Sequence, residues 1–289
     1  MKKEQEYILK NAKSFELRDI FDCGQCFRWK REDDESYTGV FKNNVLNVKK
    51  IGKDIYFKGI CGENIKEVVE KYFDLDRDYE AIKRQLAKVD NNMKESIKYG
   101  EGIRILNQDL WETIISYIIS ANNNIPRIKG IIERLSKKYG KKIVWNGKEY
   151  FTFPTASELK DVSVEEYRQL GLGFRDIRLY ETTKMVLENK INLEQLYNEP
   201  DTSKVKQQLL ELSGVGPKVA DCILLFSDLK RFDVFPIDVW IARVMNDLYI
   251  KEADESKVNK NKIQALAKEK FGDLCGIAQQ YLYYWKREA

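Results

Sequence analysis

The stretch that most constrains the fold and chemistry of this chain is residues 212–238, which read LSGVGPKVADCILLFSDLKRFDVFPID. Its first glycines predict a tight hairpin over Gly214, Val215 and Gly216, because glycine adopts positive φ angles and lets backbone N–H groups approach a ligand closely. Pro217 then stands where a helix would begin, a position at which its missing N–H is not needed. The unpaired amides and the dipole of such a helix start favour a bound anion such as phosphate.

Two charged residues lie in this stretch at a suggestive spacing. Lys218 follows the proline directly, and Asp238 comes twenty positions later. The helix dipole disfavours a cation in the first turn, and apolar neighbours such as Val215 and Val219 desolvate it, so we expect a lowered lysine pKa and a nucleophilic amine. On spacing alone the simpler interpretation is that Lys218 grips a phosphate, and the residues themselves leave both roles open.

Composition excludes several kinds of active site. The chain has 289 residues with 50 Lys+Arg against 46 Asp+Glu, a net charge of only +4, so any basic surface must be local. It has no histidine, which excludes Ser-His-Asp catalysis, Cys-His catalysis and every metal site that needs histidine. Cys23 and Cys26 form a C-x-x-C motif without the βαβ context of a redox site, and Cys61, Cys222 and Cys275 supply no second pair for zinc. We expect no metal and no cofactor.

The sequence also carries information about the compartment. Five cysteines are too few for a disulfide scaffold and fit a reducing cytosol. Residues 1–17 lack a continuous apolar core of the signal-peptide kind, and no apolar run approaches membrane-spanning length. We expect a soluble cytoplasmic protein without a membrane partner, associated with the nucleoid if the organism is prokaryotic.

Hydrophobic periodicity predicts the fold class. Short runs over residues 15–60 alternate apolar and polar residues, which indicates a small antiparallel sheet with turns at Asn43-Asn44 and at 52–54. From about Glu63 the period becomes helical. The predicted strands are FELRDIF, CFRWKRE, SYTGVFK, NVLNVKK and DIYFKGI, and the predicted helices are 76–89, 91–99, 111–121, 125–139, 162–170, 175–188, 202–212, 218–226, 239–248, 257–271 and 274–286.

We therefore predict an α+β fold that is predominantly α-helical. A chain of this length can form one large domain or two to three small ones. The expected division is an α+β domain with the antiparallel sheet at 1–100, a helical domain at 101–248, and C-terminal helices at 249–289 that complete a pocket.

Five stretches in the same order resemble one protein family. LSGVGPKVADC followed by VFPID resembles the helix-hairpin-helix and Gly/Pro-rich loop of the HhH-GPD DNA glycosylases. Such a hairpin also occurs in non-catalytic DNA-binding modules, whereas the lysine and aspartate in this order are far more specific. The other stretches are similar to 8-oxoguanine DNA glycosylases, and they are CGQCFRW (23–29), GIRILNQDLWETIISYIISANNNIPRIKGIIERL (102–135), GLGFRDIRLY (171–180) and AQQYLYYW (278–285).

The resemblance implies a bifunctional enzyme that acts on double-stranded DNA containing 8-oxoguanine opposite cytosine, as a monomer and without an iron–sulfur cluster. Lys218 would attack C1′ of the damaged nucleotide and form a Schiff base that leads to β-elimination, and Asp238 would stabilise positive charge on the sugar. Gly214, Val215 and Gly216 would hold a phosphate. Two alternatives stay open, namely a glycosylase for another oxidised or alkylated base and a non-catalytic HhH DNA-binding protein.

The same resemblance implies a pocket for the extruded base. The Gly24 carbonyl, expected on a strand, would accept the N7–H that distinguishes 8-oxoguanine from guanine. Without the family, Gly24 would be a plain bulge glycine. Gln279 would bond the Watson–Crick edge, and Tyr283, one helical turn later, would stack on the base. Cys222 would form the opposing wall, and Asp221 would either orient the base or cap a helix.

A second group is implied to act on the opposite strand. Asn122, Arg127 and Arg175 resemble the residues that read the orphaned cytosine, whose edge accepts amide and guanidinium donors. Phe174 lies in a Gly-rich turn and resembles a wedge that fills the gap left by the flipped base. The chain departs from familiar eukaryotic members at Trp240, where they carry histidine near the phosphate backbone. We expect stacking or van der Waals contact there.

Overall fold

The structure is a computed structural model that describes residues 3–253 and 258–288. The strands are β1 (Glu4–Leu9), β2 (Trp29–Arg31), β3 (Tyr37–Phe41), β4 (Asn44–Ile51), β5 (Asp54–Ile60), β6 (Lys142–Trp145) and β7 (Lys148–Phe151). The helices are α1 (Leu17–Phe21), α2 (Ile65–Tyr72), α3 (Tyr79–Leu86), α4 (Asn91–Tyr99), α5 (Leu110–Ser120), α6 (Ile125–Tyr139), α7 (Val164–Gln169), α8 (Asp176–Leu187), α9 (Leu193–Asn198), α10 (Thr202–Leu210), α11 (Pro217–Phe226), α12 (Val239–Met245), α13 (Lys260–Phe271) and α14 (Cys275–Glu288). This confirms the predicted fold class.

The N-terminal sheet has the strand order β1-β5-β4-β3-β2, and every neighbouring pair is antiparallel. One face of the sheet packs on α1 and α2 around a cluster of aromatic rings. Phe21 lies 4.2 Å from Trp29 and 4.9 Å from Tyr37 between ring centroids, and Phe41 lies 3.9 Å from Tyr72. This core fixes the loop between α1 and β2, which carries Gly24.

The sequence predictions for the first thirty residues need two corrections. FELRDIF is not a strand, because its buried residues Leu17, Ile20 and Phe21 are spaced by three and four, which is the spacing of one helix face. The strand β1 was missed, although its residues alternate between exposed and partly buried positions and pair in register with β5, for example Tyr7 opposite Phe57. Both errors come from short segments in which either period can be fitted.

Most predicted helices are present with shifted ends, and polar caps explain where they begin. The Asp90 carboxylate accepts the Met93 amide at 2.9 Å and so caps α4. Asp109 caps α5 and Asn124 caps α6 in the same way. The predicted helix at 257–271 begins outside the described residues, and α13 starts at Lys260. The predicted helix at 239–248 ends earlier, at Met245, and continues as a π-helical turn.

Two further elements were not predicted. Residues 142–151 form the antiparallel hairpin β6–β7, whose turn residues Asn146 and Gly147 have φ angles of 48° and 70°. Asn-Gly between two short runs is a strong signal for such a turn and was available in the sequence. The short helix α9 was also missed, and it begins at Asn192, whose side chain accepts two backbone amides.

The helices form a second, larger core that holds the cleft. The apolar helix α5 lies at its centre, in contact with α6 and α11, and α14 packs against both α4 and α12. Helices α3 and α4 contribute Tyr79, Leu86 and Met93 to this helical core, so they pack with the helices that follow them and not only with the sheet. The division at residue 100 therefore stays a prediction. Within the described part of the chain, no helix is long and apolar enough to cross a membrane.

Candidate active site

A cleft of about 570 Å³ opens between α5, α11, α12 and α14. This volume is within the usual range for ligand sites. Four polar residues predicted or implied to be functional face it together: Lys218, Asp238, Tyr283 and Asn122. The full lining is Gly24, Phe27, Tyr117, Ser120, Ala121, Asn122, Asn123, Ile125, Ile128, Lys218, Val219, Asp238, Val239, Trp240 and Tyr283.

The predicted hairpin lies at the start of α11. The Val215 amide donates to the Leu212 carbonyl at 3.1 Å, and Gly214 has a φ of +81°, which closes the turn. Among the described residues, no side chain caps α11 at Gly216, and no atom lies within 4 Å of the place where a Cβ on Gly216 would stand. The first amides of α11 are therefore open to a ligand, as an anion-binding helix start requires.

Lys218 lies in the first turn of α11 at the floor of the cleft. Its Nζ is 5.4 Å from the centroid of the Tyr117 ring. The pKa of Lys218 is raised, first by the neighbouring Cys222 sulfur and then by the Asp238 carboxylate, and together they outweigh burial, which lowers it. The predicted lowering of this pKa is therefore wrong for the protein without DNA. Burial also raises the pKa of the Cys222 thiol to about 11, so at neutral pH this thiol is uncharged and the Asp238 carboxylate is the charge that stabilises the Lys218 ammonium.

Asp238 is held in place by the helix that it begins. It is the N-cap of α12, and its Oδ1 accepts the Ile241 amide at 2.7 Å. One carboxylate oxygen is thus fixed by the backbone, while the residue still faces the cleft and stabilises positive charge on Lys218. Two exposed apolar neighbours, Val239 and Trp240, continue the cleft wall beyond it, at 68% and 40% exposure. Sequence reasoning did not single out Val239.

Gly24 lies in the loop between α1 and β2, and not on a strand as predicted. Because Gly24 lies outside the paired strands, neither a strand nor a plain bulge describes it, and its φ of +87° is in the region that favours glycine. The neighbouring Gln25 fixes the loop, because its buried side chain donates to the Ile20 and Arg104 carbonyls at 2.9 and 2.7 Å and accepts the Leu106 amide at 2.9 Å. The conformation at Gly24 is therefore imposed by the surrounding fold.

Of the residues implied for the base pocket, Gly24 and Tyr283 line the cleft, whereas Cys222, Gln279 and Asp221 do not. Cys222 is buried beside Lys218, and Tyr283 reaches the Gly24 loop, with its Cε1 3.4 Å from the position of a Cβ there. Gln279 lies one turn before Tyr283 and is 5% exposed, and its Oε1 hydrogen-bonds to no residue that the structure describes. Asp221 points elsewhere, because its carboxylate pairs with Lys206 of α10 at 2.6 Å and does not line the cleft. Neither base orientation nor helix capping describes it.

Arg175 requires the clearest correction among the residues implied to read cytosine. It is 2% exposed, and its guanidinium donates to the carbonyls of Ala121, Asn122 and Leu172. These hydrogen bonds hold the turn in which Asn122 adopts a φ of +51°. In this structure Arg175 supports the turn, and it does not offer its donors to a nucleic acid. The sequence could show that the residue carries donors, but not that backbone carbonyls occupy them.

Arg127 and Phe174 are exposed on the same side as this turn. Arg127 is exposed, and within the described residues its side chain donates one hydrogen bond, from Nη2 to the Gly171 carbonyl at 3.3 Å, so most of its donors face solvent. Phe174 is 51% exposed, and the guanidinium carbons of Arg175 and Arg178 lie 4.3 and 5.0 Å from its ring centroid. Two cation–π contacts of this kind help to hold an aromatic side chain in an exposed position. These two placements agree with the implied roles, which stay predictions.

Tyr117 is a second cleft residue, besides Val239, that sequence reasoning missed. It lies on α5 and is 4% exposed, yet it faces the cleft beside Lys218 and Gly24. The only signal in the sequence was one phenol within the apolar helix run, which is equally typical of a core position.

The helical fold, and a cleft that holds an aspartate and a lysine directly after a hairpin, are typical of base excision DNA repair proteins, and comparisons with known proteins agree with this class. The family model of the HhH-GPD superfamily of base excision DNA repair proteins matches residues 115–271, and that of the 8-oxoguanine DNA glycosylase N-terminal domain matches residues 7–114. These two matches together span most of the chain and confirm the superfamily that the hairpin, lysine and aspartate indicated.

Individual relatives narrow the class. A crystal structure of Clostridium acetobutylicum 8-oxoguanine glycosylase/lyase with dsDNA containing cytosine opposite 8-oxoG has a TM-score of 0.92 and 43% identity, and the match covers 100% of this chain and 98% of that one. The N-glycosylase/DNA lyase of Saccharomyces cerevisiae is 30% identical over 86% of this chain and 71% of its own length. A probable N-glycosylase/DNA lyase of Methanothermobacter thermautotrophicus is 30% identical over 78% of this chain and 76% of its own length. The chain belongs to the 8-oxoguanine DNA glycosylase/lyase family.

Proposed function

We propose that this protein excises 8-oxoguanine paired with cytosine from double-stranded DNA and then cleaves the strand at the resulting abasic site. The observation that carries the proposal is that Lys218, at the open start of α11, lines the same cleft as Asp238 and Gly24. A crystal structure of the 43% identical Clostridium protein with DNA of this kind supports the choice of substrate.

Binding would begin with the phosphate backbone. The open amides at the start of α11, directly after the hairpin Gly214, Val215 and Gly216, take one phosphate, and the ammonium of Lys218 attracts the strand toward the cleft. Phe174 enters the stack from the side and fills the space that the extruded nucleotide leaves. Arg127, whose donors face solvent, contacts the orphaned cytosine together with Asn122.

Recognition of the lesion would rest on two acceptors. The Gly24 carbonyl accepts the N7–H of 8-oxoguanine, whereas guanine presents an acceptor there and leaves two acceptors opposed. The Oε1 of Gln279 is buried without a partner among the described residues, and a purine N–H on the Watson–Crick edge satisfies it. Tyr283 stacks on one face of the base, and Cys222 closes the other.

The chemistry would proceed on Lys218 after loss of its proton. The Nζ lone pair forms a bond to C1′ as the C1′–N9 bond breaks, and its electron pair leaves with the base, which takes up a proton. Opening of the sugar ring gives the Schiff base, and removal of a C2′ proton then expels the 3′ phosphate. Asp238, fixed by the Ile241 amide, stabilises the positive charge that develops on the sugar.

Borohydride trapping tests this proposal. The wild-type protein should form a covalent adduct on 8-oxoguanine DNA under borohydride. Lys218→Gln should abolish the adduct while it leaves DNA affinity within roughly tenfold, about 1.4 kcal/mol. Lys138→Gln is a matched control, since Lys138 pairs with Glu166 on the outer face of α6. An adduct of undiminished yield in Lys218→Gln would assign the chemistry to another amine, and DNA binding without excision or trapping by the wild type would indicate a non-catalytic binder.

A further inference from the structure

Tyr117 lies next to two groups of the proposed site, the Gly24 loop and the Lys218 amine. Its hydroxyl oxygen is 3.3 Å from the Gln25 carbonyl and 3.5 Å from the Gly24 carbonyl, and its ring faces the Lys218 Nζ at 5.4 Å. One buried side chain on α5 thus contacts the loop that presents the lesion acceptor and the amine proposed as the nucleophile.

The ring of Tyr117 has a fixed orientation. It stacks on Phe226 at 5.8 Å with an interplanar angle of 11°, and it meets Phe27 edge-on at 5.6 Å. Because both neighbours belong to the core, the ring cannot turn away from Lys218 without opening a cavity. A cation over an aromatic face is stabilised by the ring quadrupole, so the ring favours the ammonium form of Lys218 at this position.

The hydroxyl of Tyr117 has one proton and two carbonyl acceptors, both at long distance. It therefore shares a weak contact between Gln25 and Gly24 and makes a full hydrogen bond to neither. Each carbonyl oxygen has two lone pairs, so the Gly24 oxygen keeps one for a ligand. Burial raises the pKa of Tyr117 well above its ordinary value, so the phenol remains a donor throughout the neutral range.

We propose that Tyr117 is a positioning residue that sets the direction of the Gly24 carbonyl through its hydroxyl and the place of the Lys218 amine through its ring. The inference rests on the proposed function. When the N7–H of the lesion donates to the Gly24 oxygen, the Tyr117 hydroxyl donates its hydrogen bond to the Gln25 carbonyl alone. The Gly24 loop then keeps its orientation. An abasic site has no base, so the hydroxyl matters for excision and not for cleavage of a preformed abasic site.

Tyr117→Phe separates these two steps because it removes the hydroxyl and keeps the ring. In single-turnover reactions it should lower 8-oxoguanine excision about fivefold to tenfold, the loss expected for one shared hydrogen bond. Cleavage of a preformed abasic site opposite cytosine should stay within about twofold. Tyr281→Phe is the matched control, since its buried hydroxyl hydrogen-bonds to none of the residues that the structure describes, and it should leave both rates unchanged.

Tyr117→Leu tests the ring through the pH profile of borohydride trapping. In the part of the chain that the structure describes, the groups that face the Lys218 amine are Cys222 on the same helix, Asp238 at the start of α12, Tyr283 on α14 and Tyr117 on α5. Without the ring the ammonium loses stabilisation, so the midpoint of trapping at an abasic site should move to lower pH by about half a unit. Tyr117→Phe should keep the wild-type midpoint.

The outcomes separate this inference from the proposed function. If the wild type excises and is trapped, but Tyr117→Phe loses both steps equally or neither, the positioning role is wrong and the function stands. If Tyr117→Leu is folded and keeps the wild-type midpoint, the role of the ring is wrong. If the wild type is not trapped at all, the proposed function fails first. Because Tyr117→Phe preserves the ring and its packing, the inference stays testable even if Tyr117→Leu fails to fold.

Discussion

Gly24→Ala is the sharpest test of how the cleft distinguishes its base. An alanine Cβ would lie 3.4 Å from Tyr283 Cε1, which is ordinary contact, so crowding is not the main effect. The backbone is the main effect, because Gly24 has a φ of +87° and an L-residue there is strained by about 1–2 kcal/mol. Rotation of the adjoining peptides relieves that strain, and rotation moves the Gly24 carbonyl.

The size of the effect follows from what the carbonyl does. The Gln25 side chain fixes the following residue through three hydrogen bonds, so relaxation falls on the peptide that carries the Gly24 oxygen. A displacement near 1 Å costs on the order of 100-fold in a positioned reaction, and loss of one hydrogen bond alone costs about tenfold. We expect Gly24→Ala to lower 8-oxoguanine excision between these limits. Cleavage at a preformed abasic site, which needs Lys218 but no base acceptor, should stay within about threefold.

A control variant separates backbone strain from base recognition. Gly147 has a φ of +70° with no atom of the described chain within 4 Å of an added Cβ, and it lies in the β6–β7 turn outside the cleft. Gly147→Ala should cost a similar free energy of unfolding and leave excision unchanged. Excision and abasic cleavage are measured in single turnover, and unfolding by urea. If Gly24→Ala lowered both activities equally, or if Gly147→Ala lowered excision as much, Gly24 would be a folding glycine.

Three further predictions concern charged residues. Arg127→Met should narrow the preference for cytosine over adenine opposite the lesion by about tenfold to a hundredfold in single-turnover excision. Arg175→Met should lower the free energy of unfolding by about 2–4 kcal/mol, because it leaves buried carbonyls without a hydrogen-bond donor. Equal losses opposite all four bases would instead place Arg127 on the phosphate backbone. Burial lowers the pKa of Lys230 from 10.5 to about 7, so between these values the unfolded chain holds a proton that the folded protein lacks, and stability rises with pH. The free energy of unfolding, measured in urea, should rise by about 2 kcal/mol from pH 7.5 to 9. Lys230→Met, which leaves Asp74 paired with Arg77 at 2.7 Å, should remove that rise. If the free energy of unfolding of Lys230→Met kept the wild-type dependence on pH, this prediction would be contradicted.

Local signals in the sequence predicted much of the fold. The N-cap Asp90 and Pro217 lie at the starts of α4 and α11, the helices whose beginnings they determine. Both could therefore be recognised without tertiary information. The same holds for the turn at Asn146 and Gly147, which was overlooked although its dipeptide is informative. Short segments such as α1 gave the wrong period, because five residues fit a strand and a helix about equally well.

The site was predictable in its members and less so in its electrostatics. Lys218 and Asp238 were singled out by their position after the hairpin, and their roles by the family resemblance, but the pKa of the lysine depends on a sulfur and a carboxylate that approach it only in the folded protein. Arg175 shows the same limit, because its donors are occupied by carbonyls of a turn more than fifty residues earlier in the chain. A sequence lists the groups that can bond, and the tertiary fold decides which of them remain open to a ligand.

The raised pKa of Lys218 changes how the proposed reaction must be understood. An ammonium cannot attack C1′, so the free protein holds the proposed nucleophile in its inactive form, stabilised by Asp238 and by the Tyr117 ring. The same charge favours approach of the phosphate backbone. A nucleotide that enters the cleft excludes water and adds to desolvation, the one contribution that already lowers this pKa. We therefore expect the Lys218 amine to become nucleophilic only when a nucleotide fills the cleft.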